Sequence, residues 1–243
     1  MGGIFVAEGH LAVERALASA YPLRSLLIAA ARGDRFGPLM DTAARAGVQV
    51  LVAEQEVIAE VTGFNVHRGV LAVGRRVALV PVAEVLALRG IVLAVEGCND
   101  GENMGALGRV AAAFGAVGFV LDPTCCDPLS RRAVRVSLGH ILGVPLARAE
   151  AWPDAIFEAG LEVVALTPHR DAVPLACYAA TPGRGEGTTV LVVGAEGPGL
   201  SAHVLARATS QVRIPMSAGV DSLNVATAAA VALSHLTSPS ASP

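Results

Sequence analysis

The sequence has no lysine, few aromatic residues and no apolar run long enough to cross a membrane. All 18 basic residues are arginine, which excludes a phosphate-binding loop of the Walker type and Schiff-base catalysis, because both need lysine. Aromatic residues make up 4% of the chain and hydrophobic residues 53%, so the core must consist mainly of Ala, Val and Leu, which favours layered α/β folds. The longest apolar candidate, residues 223–233, is too short to span a bilayer and is predicted to be a core helix.

Two further absences concern charge and metal ligands. The net charge is −3, so any contact with nucleic acid must come from local arginine patches rather than from a global basic field. The cysteines lack the CxxC spacing of metal sites and follow no secretory signal; they are Cys98, Cys125, Cys126 and Cys177. The sequence therefore predicts a cytoplasmic protein with reduced thiols, no metal and no membrane partner.

Short apolar runs alternate with helical patterns, which predicts a mostly parallel α/β sheet covered on both faces. In the front part, strands are predicted at 4–9, 25–30, 48–53 and 69–74, and helices at 10–20, 37–46 and 54–61. Further strands are predicted at 91–96, 117–121, 144–147, 162–166, 190–194 and 211–214, with helices at 104–115, 129–138, 152–160, 200–207 and 222–236. Residues 167–188 are predicted to be one long functional loop.

The composition changes around residues 75–90, where an Arg pair and Pro81 flank a short apolar run. This change predicts a domain boundary. We expect a small α/β domain at 1–77, a linker at 78–90, a second α/β domain at 91–237 and a disordered tail at 238–243.

One apolar strand runs into the glycine-rich turn of LVVGAEGPGLS. Gly194, Gly197 and Gly199 permit positive φ angles and a close approach of the backbone to a ligand. Glu196 within this turn has a simple structural interpretation as a carboxylate near the N-terminus of the next helix. A phosphate loop is the other interpretation of such a turn, but no lysine is present to support it.

The segment IPMSAGVDSLNVATAAAVAL at 214–233 passes through a short loop into an Ala/Val helix. A helix that is apolar all round is expected to be buried on every side. Ser222 is a candidate N-cap for this helix. Asn224 is then expected inside the first turn, as a buried amide that needs partners.

A third segment, ENMGALGRVAAAFG at 102–115, predicts a helix from about Met104 whose only charged residue is an arginine among small apolar residues. Asn103 stands where an N-cap would be, before a helix that begins near Met104. Arg109 follows six residues later, and a charge among buried residues needs a partner. The simpler interpretation of Arg109 is a surface arginine.

Together, these three segments resemble the motifs of the SpoU–TrmH branch of the SPOUT RNA methyltransferases. The first 75 residues, chiefly FVAEG and HRGVLAVG, resemble the ribosomal-protein-like substrate-binding domain that often precedes it. The resemblance implies transfer of a methyl group from S-adenosylmethionine to a ribose 2′-hydroxyl of RNA, with ribosomal RNA favoured over transfer RNA. It also implies a parallel α/β sheet with a deep trefoil knot at its carboxy end, and a homodimer.

The resemblance further assigns roles to single residues. It implies a catalytic set of Arg109, Asn103, Glu196, Ser222 and Asn224. It implies a cofactor pocket of Leu166, Thr167, Gly194, Gly199, Ile214, Met216 and Leu223. Two basic clusters, containing Arg131 with Arg135 and His67 with Arg68, are either solvated faces or RNA phosphate contacts, and only Arg135 has a counterpart in the family.

Two other functions stay open at this point. One is a non-catalytic RNA-binding or ribosome-assembly protein on the same fold. The other is an α/β enzyme of a different class whose glycine turn binds a nucleotide. The dinucleotide fingerprint GxGxxG is absent after the first strand of either half, which argues against a Rossmann-type site.

Overall fold

The computed structural model describes residues 3–64, 66, 68–181, 187–195 and 197–237. These residues form two compact units. The first unit runs to Ala78 and also includes Asp127–Gly143, whereas the second comprises Leu79–Cys126 and continues from Val144. The segment Asp127–Gly143 thus lies in the range predicted for the second domain but makes its contacts within the first unit.

The described residues contain eleven strands, ten α-helices and three short 3₁₀ helices, at Ala30–Arg32, Asp34–Phe36 and His140–Gly143. The strands are β1 (Ile4–Glu8), β2 (Leu23–Ala29), β3 (Gln49–Ala53), β4 (Val70–Arg75), β5 (Gly90–Glu96), β6 (Gly118–Leu121), β7 (Leu146–Arg148), β8 (Glu162–Leu166), β9 (Val173–Pro174), β10 (Thr188–Gly194) and β11 (Ser210–Arg213). The helices are α1 (His10–Leu17), α2 (Gly37–Arg45), α3 (Gln55–Thr62), α4 (Val82–Leu86), α5 (Gly101–Ala113), α6 (Arg131–Val136), α7 (Asp154–Phe157), α8 (Leu175–Ala179), α9 (Ala202–Arg207) and α10 (Val225–Leu236).

The sheet of the first unit is mixed. Its strand order is β1-β4-β2-β3, in which β4 runs antiparallel to both of its neighbours and only β2 and β3 are parallel. The expectation of a mostly parallel sheet is therefore wrong for this unit. Strand–helix alternation implies parallel neighbours only where a helix crosses over between adjacent strands, whereas β4 inserts between two strands that precede it.

The sheet of the second unit is parallel throughout, with the strand order β7-β6-β5-β10-β8-β11-β9, which confirms the mostly parallel α/β prediction. Its central strands are apolar and buried, as expected for parallel strands covered on both faces. Gly194 at the end of β10 pairs with Glu96 at the end of β5, so both strands deliver their following loops to one edge. Ligands of open parallel sheets bind at this carboxyl edge.

Two elements interrupt the predicted loop 167–188. Strand β9 pairs with β11, and α8 buries Leu175 and Tyr178. The Tyr178 hydroxyl donates a hydrogen bond to Glu162 at 2.8 Å. The apolar side chains of this segment therefore attach it to the sheet. Within the described residues, no helix has the length and apolar character needed to cross a membrane.

Candidate active site

A cavity of about 420 Å³ opens at the carboxyl edge of the seven-stranded sheet. Its walls are the segments that follow β8, β10 and β11, together with the start of α10. All seven residues predicted to hold the cofactor line it, namely Leu166, Thr167, Gly194, Gly199, Ile214, Met216 and Leu223. Ser222 and Asn224 line the same cavity. The size and the mixture of apolar walls with a few polar groups are typical of a small-molecule site.

The turn after β10 requires glycine at Gly194. A Cβ atom there would lie 2.4 Å from the carbonyl carbon of Gly199 and 2.6 Å from the backbone nitrogen of Leu200. Gly199 itself has a φ of 68°, a left-handed conformation that favours glycine, and its N–H donates to the Ala195 carbonyl at 3.2 Å. The glycines thus fold the turn tightly back on the end of its own strand.

Glu96 fastens this turn to the neighbouring strand. Its carboxylate accepts hydrogen bonds from the Ser201 backbone N–H and the Ser201 hydroxyl, each at 2.8 Å. The indole Nε1 of Trp152 donates to the same carboxylate at 2.9 Å. Ser201 is also the N-cap of α9, where its side chain accepts from the Val204 N–H. The sequence analysis missed Glu96, although an acidic residue at the end of a buried parallel strand was a usable signal.

The two helices nearest the site are joined at their N-terminal ends. The Asn224 side-chain amide donates to the Asn103 side-chain oxygen at 2.8 Å. Asn224 is also the N-cap of α10, accepting from the N–H groups of Ala226 and Thr227. Asn224 is therefore an exposed capping residue. Two expectations are wrong: that Ser222 caps this helix, and that the Asn224 amide is buried. An asparagine is as good an N-cap as a serine, and here it leaves its NH₂ group available for the second bond.

Helix α5 begins three residues earlier than predicted. Its N-cap is Asp100, whose carboxylate accepts from the N–H groups of Glu102 and Asn103. Asn103 thus stands in the first turn, which leaves its side chain for the bond to Asn224. An Asp side chain satisfies the free amides of the first turn and interacts favourably with the helix dipole.

Arg109 lies on the exposed side of α5. Met104, Leu107 and Gly108 of the same helix are buried, but Arg109 projects away from them, so the expectation that it lies among buried residues is wrong. No described residue forms an ion pair or hydrogen bond with its guanidinium. A cation without an internal partner on a helix that also bears Asn103 is available to an anionic substrate.

Helix α10 is less buried than its composition predicts. Ala226, Ala229 and Leu233 face the core, whereas Thr227 and Ser234 are exposed. Alanine contributes little area on any side, so an Ala-rich helix is buried only along the stripe that packs against α5 and its neighbours. The expectation of burial on every side is wrong for the single chain.

The comparisons with known proteins agree with this geometry. Residues 90–234 match the SpoU rRNA methylase family, and residues 6–78 match the RNA 2′-O ribose methyltransferase substrate-binding family. The chain belongs to the SpoU rRNA methylase family. It is 45% identical to an uncharacterised tRNA/rRNA methyltransferase of Mycobacterium bovis over 94% of this chain and 79% of the relative.

Solved structures of SpoU-type enzymes share the fold. An AdoMet-bound rRNA methyltransferase from Sinorhizobium meliloti aligns with a TM-score of 0.80 and 26% identity, over 96% of this chain and 86% of that chain. A crystal structure described as an RNA 2′-O ribose methyltransferase aligns with a TM-score of 0.74 and 27% identity, over 96% of this chain and 87% of that chain. The predicted membership of the SpoU branch is thereby confirmed.

Two of the residues predicted for the SpoU site, Glu196 and His67, lie outside the described residues, as does the predicted tail 238–243. Glu196 stays a catalytic prediction and His67 an RNA-binding one. The predicted absence of a metal concerns the whole chain; within its described part, no group of three or more His, Cys, Asp or Glu side chains is arranged to hold a metal ion.

Arg131 has an internal partner in the first unit. Its guanidinium donates to the Glu8 carboxylate at 3.0 Å and lies 3.6 Å from the centre of the Phe64 ring. Glu8 is only 3% exposed, so Arg131 neutralises a buried negative charge. Arg135, four residues on in α6, is partly exposed, and no described residue forms an ion pair with it.

A second cavity, which the sequence analysis missed, opens in the first unit. His10, Arg32, Arg35, Phe36 and Arg68 line it. Two glycines make room for arginine stems, because a Cβ would lie 2.7 Å from the Arg68 side chain at Gly9 and 2.5 Å from the Arg32 side chain at Gly69. No acidic side chain of the described residues forms an ion pair with these three arginines. Only folding brings Arg68 to Arg32 and Arg35, which lie more than thirty residues earlier in the sequence.

Proposed function

We propose that this chain is an S-adenosylmethionine-dependent methyltransferase that modifies a ribose 2′-hydroxyl of RNA, with ribosomal RNA favoured over transfer RNA as the substrate. One observation carries the proposal: the cavity at the carboxyl edge of the sheet lies beside the linked N-terminal ends of α5 and α10. Family membership supports RNA as the substrate class. The 2′-hydroxyl as acceptor is supported by the description of the front family and by that of one solved relative.

The residues of the cavity fit S-adenosylmethionine, the cofactor seen in a solved relative. The volume is suitable for a nucleoside-sized ligand. Leu166, Ile214 and Leu223 offer apolar surface for an adenine ring, and Gly194, Gly197 and Gly199 let the ligand approach their backbone groups closely. S-adenosylmethionine supplies an electrophilic methyl group on a sulfonium. The protein contributes orientation and exclusion of water.

Arg109 is the proposed catalytic cation. A ribose 2′-hydroxyl is a weak acid, so charge must be stabilised as its oxygen attacks the methyl group. The guanidinium is permanently charged and matches the geometry of a phosphate, so it can hold the adjoining RNA phosphate and stabilise the developing oxyanion. Asn103 and Asn224 position the N-terminal ends of α5 and α10 for this step, and Ser222 lies at the mouth of the same cavity.

RNA contacts are proposed at two places in the first unit, around the second cavity and on α6. Arg32, Arg35 and Arg68 around the second cavity provide an anion-binding surface for phosphates of the RNA backbone. Arg135 is proposed as a further phosphate contact, together with His67. Because Arg131 pairs with Glu8, its contribution to RNA binding is expected to be smaller.

The finer architecture is also proposed rather than observed. We infer that residues 1–77 serve as the RNA-binding domain and 91–237 as the catalytic domain, in which the loops around the cavity form a deep trefoil knot. A homodimer is supported by the apolar residues of α10 that stay partly exposed, Ala228, Ala230 and Val231. It is also supported by Val220 and Leu223, which are 48% and 36% exposed. We place its action in the cytoplasm, where its RNA substrates occur.

Transfer of a radiolabelled methyl group from S-adenosylmethionine tests the function. Unmodified ribosomal RNA and transfer RNA are offered separately, and alkali-resistant dinucleotides report 2′-O-methylation. Label in ribosomal RNA alone is the expected result, and label in transfer RNA alone would overturn the choice of substrate. Donor binding without transfer to either RNA would favour a non-catalytic RNA-binding protein on this fold.

A further inference from the structure

Three of the four cysteines meet at the carboxyl edge of the seven-stranded sheet. Cys98 follows β5, and Cys125 and Cys126 follow β6. Cys98 and Cys125 are buried, whereas Cys126 is partly exposed. The Cys125 thiol donates to the Val95 carbonyl at 3.3 Å. The three cysteines show no metal-site spacing in the sequence, but the fold brings them together in one cluster.

Cys98 and Cys126 are direct neighbours. The Cys126 backbone N–H donates to the Cys98 carbonyl at 2.8 Å, and the two thiols hydrogen-bond each other. The backbone bond holds the two main chains side by side, and the bond between the thiols places the two sulfurs next to each other. A disulfide requires closely spaced Cα atoms and side chains that point towards each other, and these contacts meet both requirements. The pair therefore lies within reach of a disulfide without a large movement of the backbone.

The loop that bears Cys126 is held from two sides. The Asp122 carboxylate accepts from the N–H groups of Thr124 and Cys125 at 3.0 and 2.8 Å. The Arg148 guanidinium donates to four of the five carbonyls of residues 122–126, those of Asp122, Pro123, Cys125 and Cys126, at 2.8 to 3.4 Å. These bonds hold Cys126 opposite Cys98, so little conformational freedom remains to be lost when the sulfurs join.

We propose that Cys98 and Cys126 form a reversible dithiol–disulfide pair that hydrogen peroxide oxidises. The Cys126 thiol loses its proton and the thiolate attacks one peroxide oxygen; the O–O bond breaks, a sulfenic acid forms, and the departing hydroxide takes up the proton lost by the thiol and leaves as water. The Cys98 sulfur then attacks the sulfenic sulfur, the S–S bond forms, and the sulfenic oxygen leaves as a second water after taking up the Cys98 proton. The two sulfurs are oxidised by two electrons in total and the peroxide is reduced by two. A dithiol reductant reverses the change.

The order of the two steps follows from the surroundings of each thiol. The hydrogen bond to Cys126, together with burial, raises the pKa of Cys98 far above its ordinary value. Burial and the Asp122 carboxylate raise the pKa of Cys125 to about 12. Neither buried thiol is a good first nucleophile, since thiolates are the reactive form. Cys126 is partly exposed, unlike Cys98 and Cys125, and therefore reacts first with peroxide.

The disulfide would act on the candidate active site, a consequence that rests on the proposed function. Cys98 lies two residues before Asp100, the N-cap of α5, and its thiol contacts the Asp100 carbonyl at 3.8 Å. A sulfur in a disulfide has no proton to donate, so the bond from Cys98 to the carbonyl of this cap is lost when the pair is oxidised. The orientation of Asn103 in the first turn of α5 then changes, and with it the bond to Asn224.

Mass spectrometry of the full chain tests the pair. The reduced protein is treated with hydrogen peroxide, free thiols are alkylated, and the protein is digested with trypsin. Cleavage after arginine places Cys98 in peptide 90–109 and the Cys125–Cys126 pair in peptide 110–131. The expected product is these two peptides cross-linked, lighter by two hydrogens, with fragment ions that assign the bond to Cys126. A bond to Cys125, or oxidation of single cysteines only, would overturn the proposal.

Variants and a second readout complete the test. Cys126→Ser should abolish the cross-link, whereas Cys125→Ser and the exposed Cys177→Ser should retain it. Fragmentation of the wild-type product decides the pairing even where a buried variant fails to fold. Methyl transfer by the oxidised protein should fall several-fold and return with dithiothreitol. A cross-link without an effect on transfer would overturn the coupling, whereas a protein without transferase activity can still form the cross-link.

Discussion

Asn224 donates its side-chain amide to Asn103 at 2.8 Å while its own oxygen caps α10. One residue thus ends a loop of the cofactor cavity, starts one helix and holds the first turn of another. The two functions of Asn224 use different atoms, so they can be separated by substitution.

Asn224→Asp should separate capping from the link to Asn103. A carboxylate still accepts from the N–H groups of Ala226 and Thr227, and Asp is a good N-cap, so thermal stability should change little. A carboxylate cannot donate to Asn103, so the Asn103 amide must turn over and donate its NH₂ instead, and because this changes the group that Asn103 presents, kcat should fall about tenfold. Asn224→Ala, which loses both, should also destabilise the protein by about 1 kcal/mol. Equal transfer rates for wild type and Asn224→Asp would contradict a role for the pair.

Arg109→Ala should remove methyl transfer and leave cofactor binding nearly intact. The loss of a cation that stabilises developing charge typically lowers kcat by about 10²–10³. Calorimetric titration with S-adenosylmethionine measures binding, and labelled transfer measures turnover. Arg45→Ala, which removes an exposed arginine of α2 in the first unit, is the control for general loss of charge. Retention of wild-type turnover by Arg109→Ala would show that the catalytic assignment is wrong.

Gly194→Ala should weaken cofactor binding by about tenfold or more, or about 1.4 kcal/mol. The added Cβ would meet the backbone of Gly199 and Leu200 at 2.4 to 2.6 Å, which forces the turn out of the cavity. Gly143→Ala is a matched control, since no atom lies within 4 Å of its Cβ position and its φ is not left-handed. If both variants bind S-adenosylmethionine equally well, the turn does not form the cofactor pocket.

Glu96→Gln should raise the KM for S-adenosylmethionine more than it lowers kcat. The carboxylate accepts two bonds from Ser201 and one from Trp152, and an amide would present NH₂ to one of these donors. The turn after β10 then loses its anchor, although the reacting groups are untouched. Glu158→Gln on an exposed position serves as the control. A fall in kcat at unchanged KM would instead point to a role for Glu96 in the chemical step.

Arg131→Ala should destabilise the first unit by about 1–3 kcal/mol, because the buried Glu8 carboxylate loses its partner. Chemical denaturation measures the change. The double variant with Glu8→Gln should recover part of the loss, as the charge left without a partner is removed. RNA binding by folded Arg131→Ala should fall less than that of Arg68→Ala; the opposite order would make Arg131 an RNA contact.

Local sequence patterns predicted the alternation of strands and helices and the parallel sheet of the second unit, and the resemblance to the family predicted residues that line the cavity at its carboxyl edge. Apolar runs of five to seven residues and glycines at the strand end carry this information locally. The three motifs lie in separate segments, but each follows or begins a regular element, so their convergence at one sheet edge was predictable from the parallel topology.

Only the tertiary structure decided the features that depend on which groups become neighbours. Packing between segments decides three such features. They are the mixed strand order of the first sheet, the choice of Asn224 rather than Ser222 as the N-cap of α10, and the exposure of Arg109. The same holds for the grouping of Cys98 with Cys126 and of Arg32 with Arg68. Periodicity reports which face of an element is apolar, but it carries no information on which polar atoms from distant segments will meet at its ends.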